Sequence, residues 1–183
     1  LLLTELFLKN REFRVAYRGG QRYVERLVAG KKNTAPKDQK PVESQPVVLD
    51  STGHGTIENL VLHPMERRAP GADEIEIEVR VTGLNFRDVL SAMDEYPGGP
   101  IPFGVECAGV VSAVGENVLH LKPGDEVMAL TQEPAFASYV ITRGELAVRK
   151  PGHLSMHEAA TIPVVFLTSF YALSRFGRIG PGD

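Results

Sequence analysis

Among the side chains of this sequence able to take part in proton transfer or in oriented hydrogen bonding at a reacting group are its five tyrosine phenols and its asparagine carboxamides, Tyr96 and Asn85 among them. A phenol with its ordinary pKa of about 10 stays protonated at neutral pH and can give its proton to a strongly basic anion. A carboxamide donates and accepts, so Asn85 can hold a polar group from either side. Glu106 lies in the apolar run Gly104-Val105-Glu106-Cys107-Ala108-Gly109, where a lone carboxylate reads first as a buried, hydrogen-bonded group. Arg87 and Asp88 are neighbours and are expected to form a local ion pair that shapes a turn.

Metal and phosphate chemistry find less support. The five histidines, His54, His63, His120, His153 and His157, show no metal-ligand spacing, and Cys107 is the single cysteine. A cluster of several thiolates around zinc and an internal disulfide framework are both excluded. A dinucleotide fold needs a glycine-rich turn between a strand and a helix, and no GxGxxG-type stretch occurs. Gly19-Gly20 and Gly98-Gly99 sit in turn contexts with no helix after them, so they are not assigned to phosphate.

The elements that must position these groups lie in a chain of 183 residues, 43% hydrophobic and 23% charged, which is enough apolar surface for a core and excludes wholesale disorder. Leu1–Leu8 is interrupted by Thr4 and Glu5, lacks a basic leader, and is far below the roughly 20 residues of a membrane span. It reads as neither anchor nor signal, and with one cysteine the expected compartment is the cytoplasm. Residues 1–40 hold ten Lys/Arg against four Asp/Glu, a net +6, while the rest of the chain carries −9. The basic charges alternate with apolar residues, so they read as a solvated surface, and neither a nucleic-acid nor a membrane partner is expected.

Residues Leu1–Leu8 read as the tail of a helix. Phe13, Val15 and Tyr17 alternate into Arg18-Gly19-Gly20, and a second strand over about Gln21–Val28 completes a hairpin. Such a hairpin cannot bury its apolar face alone, so it is expected to belong to a domain lying mostly before residue 1. The Lys- and Pro-rich stretch after Gly30 marks a linker. Glu74–Val81 alternates without error, with Ile75, Ile77, Val79 and Val81 on one face and Glu74, Glu76, Glu78 and Arg80 on a face expected to be wet. Short strands are predicted at Gly109–Val114, Glu126–Leu130 and Ser138–Thr142, separated by turns at Val114–Asn117 and Lys122–Asp125. Ser155 and Glu158 have capping-box spacing and open a helical segment running towards Tyr171 and Leu173, interrupted at Pro163. The closing Arg178-Ile179-Gly180-Pro181-Gly182-Asp183 reads as a turn that introduces a further element.

In this order the pieces resemble the medium-chain dehydrogenase/reductase superfamily, and within it the enoylreductase domains of modular polyketide synthases. The carriers are Gly83–Leu90, Tyr96-Pro97-Gly98, Gly104–Val111, Val114-Gly115, Lys122–Met128, Ala159–Pro163 and Leu167–Leu173. Tyr17–Val24 also looks like the end of the structural ketoreductase subdomain that precedes such enoylreductases. The implied fold is mainly β with helices: a GroES-like barrel with only the start of a Rossmann-type domain. The implied domains are 1–29, the remnant of the ketoreductase-like subdomain; 30–50, the linker; 51–160, the barrel; and 161–183, a bridging helix and the start of the nucleotide-binding domain.

The resemblance implies an NADPH-dependent enoylreductase that adds hydride to Cβ of an α,β-unsaturated acyl thioester and a proton to Cα. It implies Tyr96 and Asn85 as catalytic residues and Asn85, Pro163, Val164 and Thr168 as residues bordering the cofactor. Asn85 and Val105 stand where zinc-dependent relatives carry a cysteine and a histidine, so no metal is expected. Implied partners are an acyl carrier protein bearing a phosphopantetheine-bound substrate and the adjacent synthase domains, with room for a homodimer formed through the parent synthase. Further acid candidates of the family lie in the nucleotide half, and this fragment alone is expected to be inactive. The alternatives are a free-standing quinone oxidoreductase, a reductive cyclopropane-forming variant, and a non-catalytic structural barrel.

Overall fold

The computed structural model describes residues 15–24, 45–53 and 55–180. The chain divides into two compact units, Leu1–Glu43 and Ser44–Asp183. In the first, β1 (Val15–Arg18) and β2 (Gln21–Val24) form an antiparallel hairpin with Arg18 opposite Gln21. Its two-residue turn needs positive φ at both positions, and Gly19 and Gly20 adopt 54° and 79°, which a residue without Cβ does at little cost. The expected helix tail at Leu1–Leu8, the continuation of the second strand to Val28 and residues 30–44 of the linker lie outside the described residues.

The second unit opens with β3 (Val47–Ser51), antiparallel to β4 (Leu60–Pro64). β3 therefore begins inside the stretch 30–50 that composition marks as linker. Val47-Val48-Leu49 is too short a run for a periodicity test and follows Pro46 directly. The hairpin is laid against the segment leading into β8: the Leu49 N–H donates to the Phe136 carbonyl and the Ser138 N–H to the Val47 carbonyl, both at 2.8 Å.

The main sheet holds β5 (Glu74–Thr82), β6 (Glu106–Val114), β7 (Glu126–Leu130), β8 (Tyr139–Arg143) and β9 (Ala147–Arg149). The helix α1 (Phe86–Ala92) lies between β5 and β6; α2 (Met156–Ala160) and α3 (Pro163–Phe170) follow the sheet, and a stretch of π-helix, Tyr171–Phe176, extends α3. All strand pairs are antiparallel, in the order β8-β5-β6-β7-β9, so β8 and β9, though consecutive, are the two edges of the sheet. β6 starts ahead of the predicted Gly109, at Glu106, so the carboxylate itself lies on the strand, at its first residue.

Alternation in β5 puts Ile75 and Ile77 into the core with Cys107, Val111, Val127 and Val140, each between 0% and 2% exposed. On the other side of β6, Ala108 meets Ala159 and Ala160 of α2, with Val81, Met128 and Met156 around them. These small side chains let α2 approach the sheet closely. The capping box that starts α2 is as the spacing predicts: the Glu158 N–H donates to Ser155 Oγ at 3.2 Å, and the Ser155 N–H to Glu158 Oε2 at 2.8 Å. Pro163 then occupies the first turn of α3, where its missing N–H costs no hydrogen bond.

The face of β5 expected to be wet is not wet throughout. Glu76 is 3% exposed. Arg67 donates to it from Nε at 2.9 Å and from Nη2 at 2.5 Å, and the Ser112 hydroxyl donates to the same carboxylate. The Arg67 guanidinium also lies 3.8 Å from the centre of the Tyr139 ring. Its bidentate bond holds the Glu76 carboxyl below the usual range, against the effect of burial. Among the described residues no helix is long and apolar enough to cross a membrane.

Candidate active site

The strand β5 ends at Thr82, and Asn85 becomes the N-cap of α1 with extended φ and ψ of −108° and 154°. Asn and Asp suit these positions because their side chains satisfy backbone N–H groups that the first helical turn leaves unpaired. Here the Asn85 N–H donates to Asp88 Oδ2 at 2.9 Å, one half of a capping box. Asp88 Oδ1 accepts from the Gly104 N–H, also at 2.9 Å. Both oxygens of Asp88 thus serve the backbone, and the expected ion pair with Arg87 is not formed. Adjacent residues on a helix point apart, and Arg87 instead reaches the Pro102 carbonyl at 3.4 Å.

The Asn85 side chain turns to β6. Its Nδ2 donates to Glu106 Oε1 at 2.8 Å, and Glu106 Oε2 accepts the backbone N–H of Val164 at 2.8 Å. Glu106 is 2% exposed. The Val164 N–H belongs to the first turn of α3, which has no carbonyl partner within its own helix and favours a negative group. Around the same carboxylate the backbone is equally constrained. The Thr82 hydroxyl and the Gly83 N–H donate to the Glu106 carbonyl at 2.9 and 3.2 Å. A Cβ on Gly83 would lie 2.5 Å from Glu106 Oε1 and 2.6 Å from its Cγ. Gly83 is glycine because the carboxylate occupies that space.

Cys107, next along β6, faces the opposite side and is fully buried; burial and then the nearby Glu106 push its thiol up to about 12. It is a core residue with no nucleophilic character at neutral pH.

Tyr96 lies in the turn after α1. Asp94 there takes a φ of 58°, a left-handed position that a glycine would occupy without strain and that Asp tolerates. The Glu95 N–H bonds the Leu90 carbonyl at 2.8 Å and the Gly99 N–H bonds the Tyr96 carbonyl at 3.0 Å, which folds the loop back on the helix. Tyr96 is half-buried, and its hydroxyl has no hydrogen-bond partner among the described residues.

The predicted site residues therefore separate into groups. Asn85 and Val164 meet at Glu106. Pro163 is buried and lines an apolar cavity of about 500 Å³ together with Met128, Leu130, Phe166, Leu167 and Phe170. Thr168 is exposed, one helical turn beyond Val164 on the same side of α3. A second cavity, of about 400 Å³, lies between β3 and the loop after α1, bordered by Leu49, Ser91, Ile101 and Phe103. Neither cavity is lined by Asn85 or Tyr96. Sequence reasoning identified Glu106 as a buried hydrogen-bonded carboxylate but not its two partners. The available signal was Gly83, a glycine at the end of a regular strand.

Comparison with known proteins accords with this geometry. Residues 71–167 match the family described as the alcohol dehydrogenase GroES-like domain. A component of the phenolphthiocerol/phthiocerol polyketide synthase of Mycobacterium tuberculosis is 36% identical over 197 aligned residues, covering 100% of this chain and 9% of that protein. Among solved structures, CurK enoyl reductase is 43% identical with a TM-score of 0.71, covering 76% of this chain and 45% of that one. The CurF cyclopropanase of curacin A biosynthesis is 36% identical, with a TM-score of 0.68 over the same shares. The quinone oxidoreductase of Escherichia coli, solved in complex with NADPH, is 30% identical with a TM-score of 0.65, covering 75% and 43%. The chain thus spans less than a tenth of the synthase and less than half of each of these structures. The expected fold class, mainly β with short helices and GroES-like, holds, as does the likeness to synthase enoylreductase domains. With the match running from the turn before β5 into α3, the chain belongs to the alcohol dehydrogenase GroES-like domain family.

Proposed function

We propose that this chain is the substrate-side part of an NADPH-dependent enoylreductase of a polyketide synthase, acting on an α,β-unsaturated acyl thioester carried by an acyl carrier protein. The observation that carries the reading is the junction at Glu106, where the Asn85 amide and the head of α3 are tied to one buried carboxylate. A residue facing substrate and a helix bordering the cofactor are thereby fixed relative to each other, which a two-reactant cleft requires.

When bound, NADPH supplies the hydride that adds to Cβ. The residues of this chain do the rest on the substrate side. Asn85 orients the thioester with the hydrogen-bonding capacity that Glu106 leaves it. Tyr96, with its hydroxyl unbonded, delivers a proton to Cα. The nicotinamide end fits α3, because the Thr168 hydroxyl is exposed, without a hydrogen-bond partner among the described residues, and about 6 Å along the helix from Val164. The pyrophosphate does not fit here: the Val164 N–H is already given to Glu106, and no glycine-rich turn joins a strand to a helix among the described residues. The phosphates are assigned to a nucleotide domain reached through residues 161–183. In support, Phe166, Phe170 and Phe176 of that stretch are 63%, 65% and 76% exposed and lack cover. Residues 1–29 are assigned to the end of a ketoreductase-like subdomain. No metal is assigned to this site: Val105 has no ligating side-chain atom, and among the described residues no three His, Cys, Asp or Glu side chains are grouped to hold one.

The test is oxidation of NADPH by the parent polypeptide with a crotonyl thioester, read by absorbance and by product mass. Formation of the saturated thioester is expected, and absence of any NADPH oxidation over background would contradict the reading. The likeness to the CurF cyclopropanase favours one second reading, in which the enolate displaces a neighbouring leaving group instead of taking a proton. An α,β-unsaturated thioester bearing a leaving group on Cγ separates the two, since ring closure of Cα onto Cγ releases that group and protonation at Cα retains it.

A further inference from the structure

The geometry points to Glu106 as a positioning residue of this site: its carboxylate sets which atoms Asn85 presents to the cleft and fixes the head of α3 to the same point. The inference deepens the proposed function and rests on it. Three chain segments far apart in sequence converge here. Asn85 and Val164 lie 21 and 58 residues from Glu106, and each gives it one hydrogen bond of 2.8 Å. Gly83 has no side chain because Glu106 fills the space.

The chemistry follows from counting donors and acceptors. Glu106 receives two donors, Asn85 Nδ2 and the Val164 N–H, and an ionised carboxylate accepts both. Because Nδ2 is bound inward, the amide is held in one of its two flipped orientations, and Oδ1 cannot exchange places with it. A carboxamide in place of Glu106 has one accepting oxygen and one donating nitrogen. Facing two donors, it satisfies one and opposes the other. The alternative is that Asn85 flips, putting its oxygen inward and reversing what it offers to substrate. Either outcome disturbs the site without removing volume.

Glu106→Gln in the parent polypeptide is expected to lower kcat by about 10- to 100-fold while KM for the thioester changes by less than about threefold, the pattern of lost alignment rather than lost binding. The decisive variant is the exchange of the two groups, Asn85→Asp with Glu106→Gln. The new glutamine can accept from the Val164 N–H and donate to the new aspartate, which remains a competent N-cap and again presents an oxygen outward. This double variant is expected to recover kcat to within about fivefold of the unaltered enzyme.

Hydrogen–deuterium exchange of the peptide containing Val164, read without substrate, should be at least about tenfold faster in Glu106→Gln and return towards the original rate in the double variant. If Glu106→Gln fails to fold, the double variant alone decides. Full kcat in Glu106→Gln, or a double variant that regains exchange protection but not kcat, overturns the positioning role. Inactivity of the unaltered polypeptide would instead count against the proposed function, and unchanged exchange at Val164 would separately overturn the Glu106 link.

Discussion

Arg67 and Glu76 meet in a two-point contact, Nε to Oε1 at 2.9 Å and Nη2 to Oε2 at 2.5 Å, on a carboxylate that is 3% exposed. The pair closes a face of β5 that its alternation marks as open to water. Removing Arg67 leaves a buried charge with only the Ser112 hydroxyl as partner. Arg67→Ala is therefore expected to lower the midpoint of chemical denaturation at neutral pH, by less than loss of a fully buried pair would because Arg67 is itself half-exposed. An unchanged midpoint would show the contact to be energetically silent.

The same contact has a pH signature. The folded-state pKa of Glu76 lies below its unfolded value near 4.5, chiefly through Arg67. Its contribution is therefore complete above pH 4.5 and is lost as pH falls through the lower, folded value. Glu74 is drawn down from 4.5 to about 2 by Arg68 and has the same sign, but it is solvent-screened and adds little. Stability should decline below pH 4.5 in the unaltered protein and decline less steeply in Arg67→Ala. Parallel pH profiles would contradict this.

Gly83→Ala places a methyl 2.5 Å from Glu106 Oε1, so the carboxylate or the loop must move. A loss of about 1–3 kcal/mol is expected from overpacking. The variant should also accelerate amide exchange at Val164, which an effect confined to the β5 end would leave unaltered.

Cys107 is fully buried with its thiol pushed up to about 12. Alkylation of the native protein at pH 8 is expected to spare it, with labelling appearing only on unfolding. Rapid native labelling would mean that β6 opens far more readily than its hydrogen bonding implies.

Tyr96→Phe removes a hydroxyl that bonds nothing among the described residues. Stability should change by less than about 0.5 kcal/mol, whereas the rate or face of protonation at Cα should change. Unchanged rate and stereochemistry would return Tyr96 to a covering role in its loop.

Much of the framework was legible in the sequence because it depends on local rules. The period of two in Glu74–Val81, the Gly19-Gly20 turn and the Ser155/Glu158 box each need only a few consecutive residues, and all appear where expected. The hairpin of β3 and β4 was not legible, because Val47–Ser51 is short and adjoins a Lys- and Pro-rich stretch. The burial of Glu76 depends on Arg67, nine residues away with no periodic relation to it. Asn85, Val164 and the buried carboxylate Glu106 were identified individually, but that Glu106 joins the other two was not, since its partners lie 21 and 58 residues distant. Long-range polar contacts of this kind leave no pattern in a single chain.

The central claim is tested most directly by following the hydride. The parent polypeptide would be given NADPH carrying deuterium at both C4 positions of the nicotinamide and a crotonyl thioester, and the product examined by NMR. The account predicts deuterium at Cβ and a solvent-derived hydrogen at Cα. NADPH left unconsumed, or deuterium absent from Cβ, would contradict it.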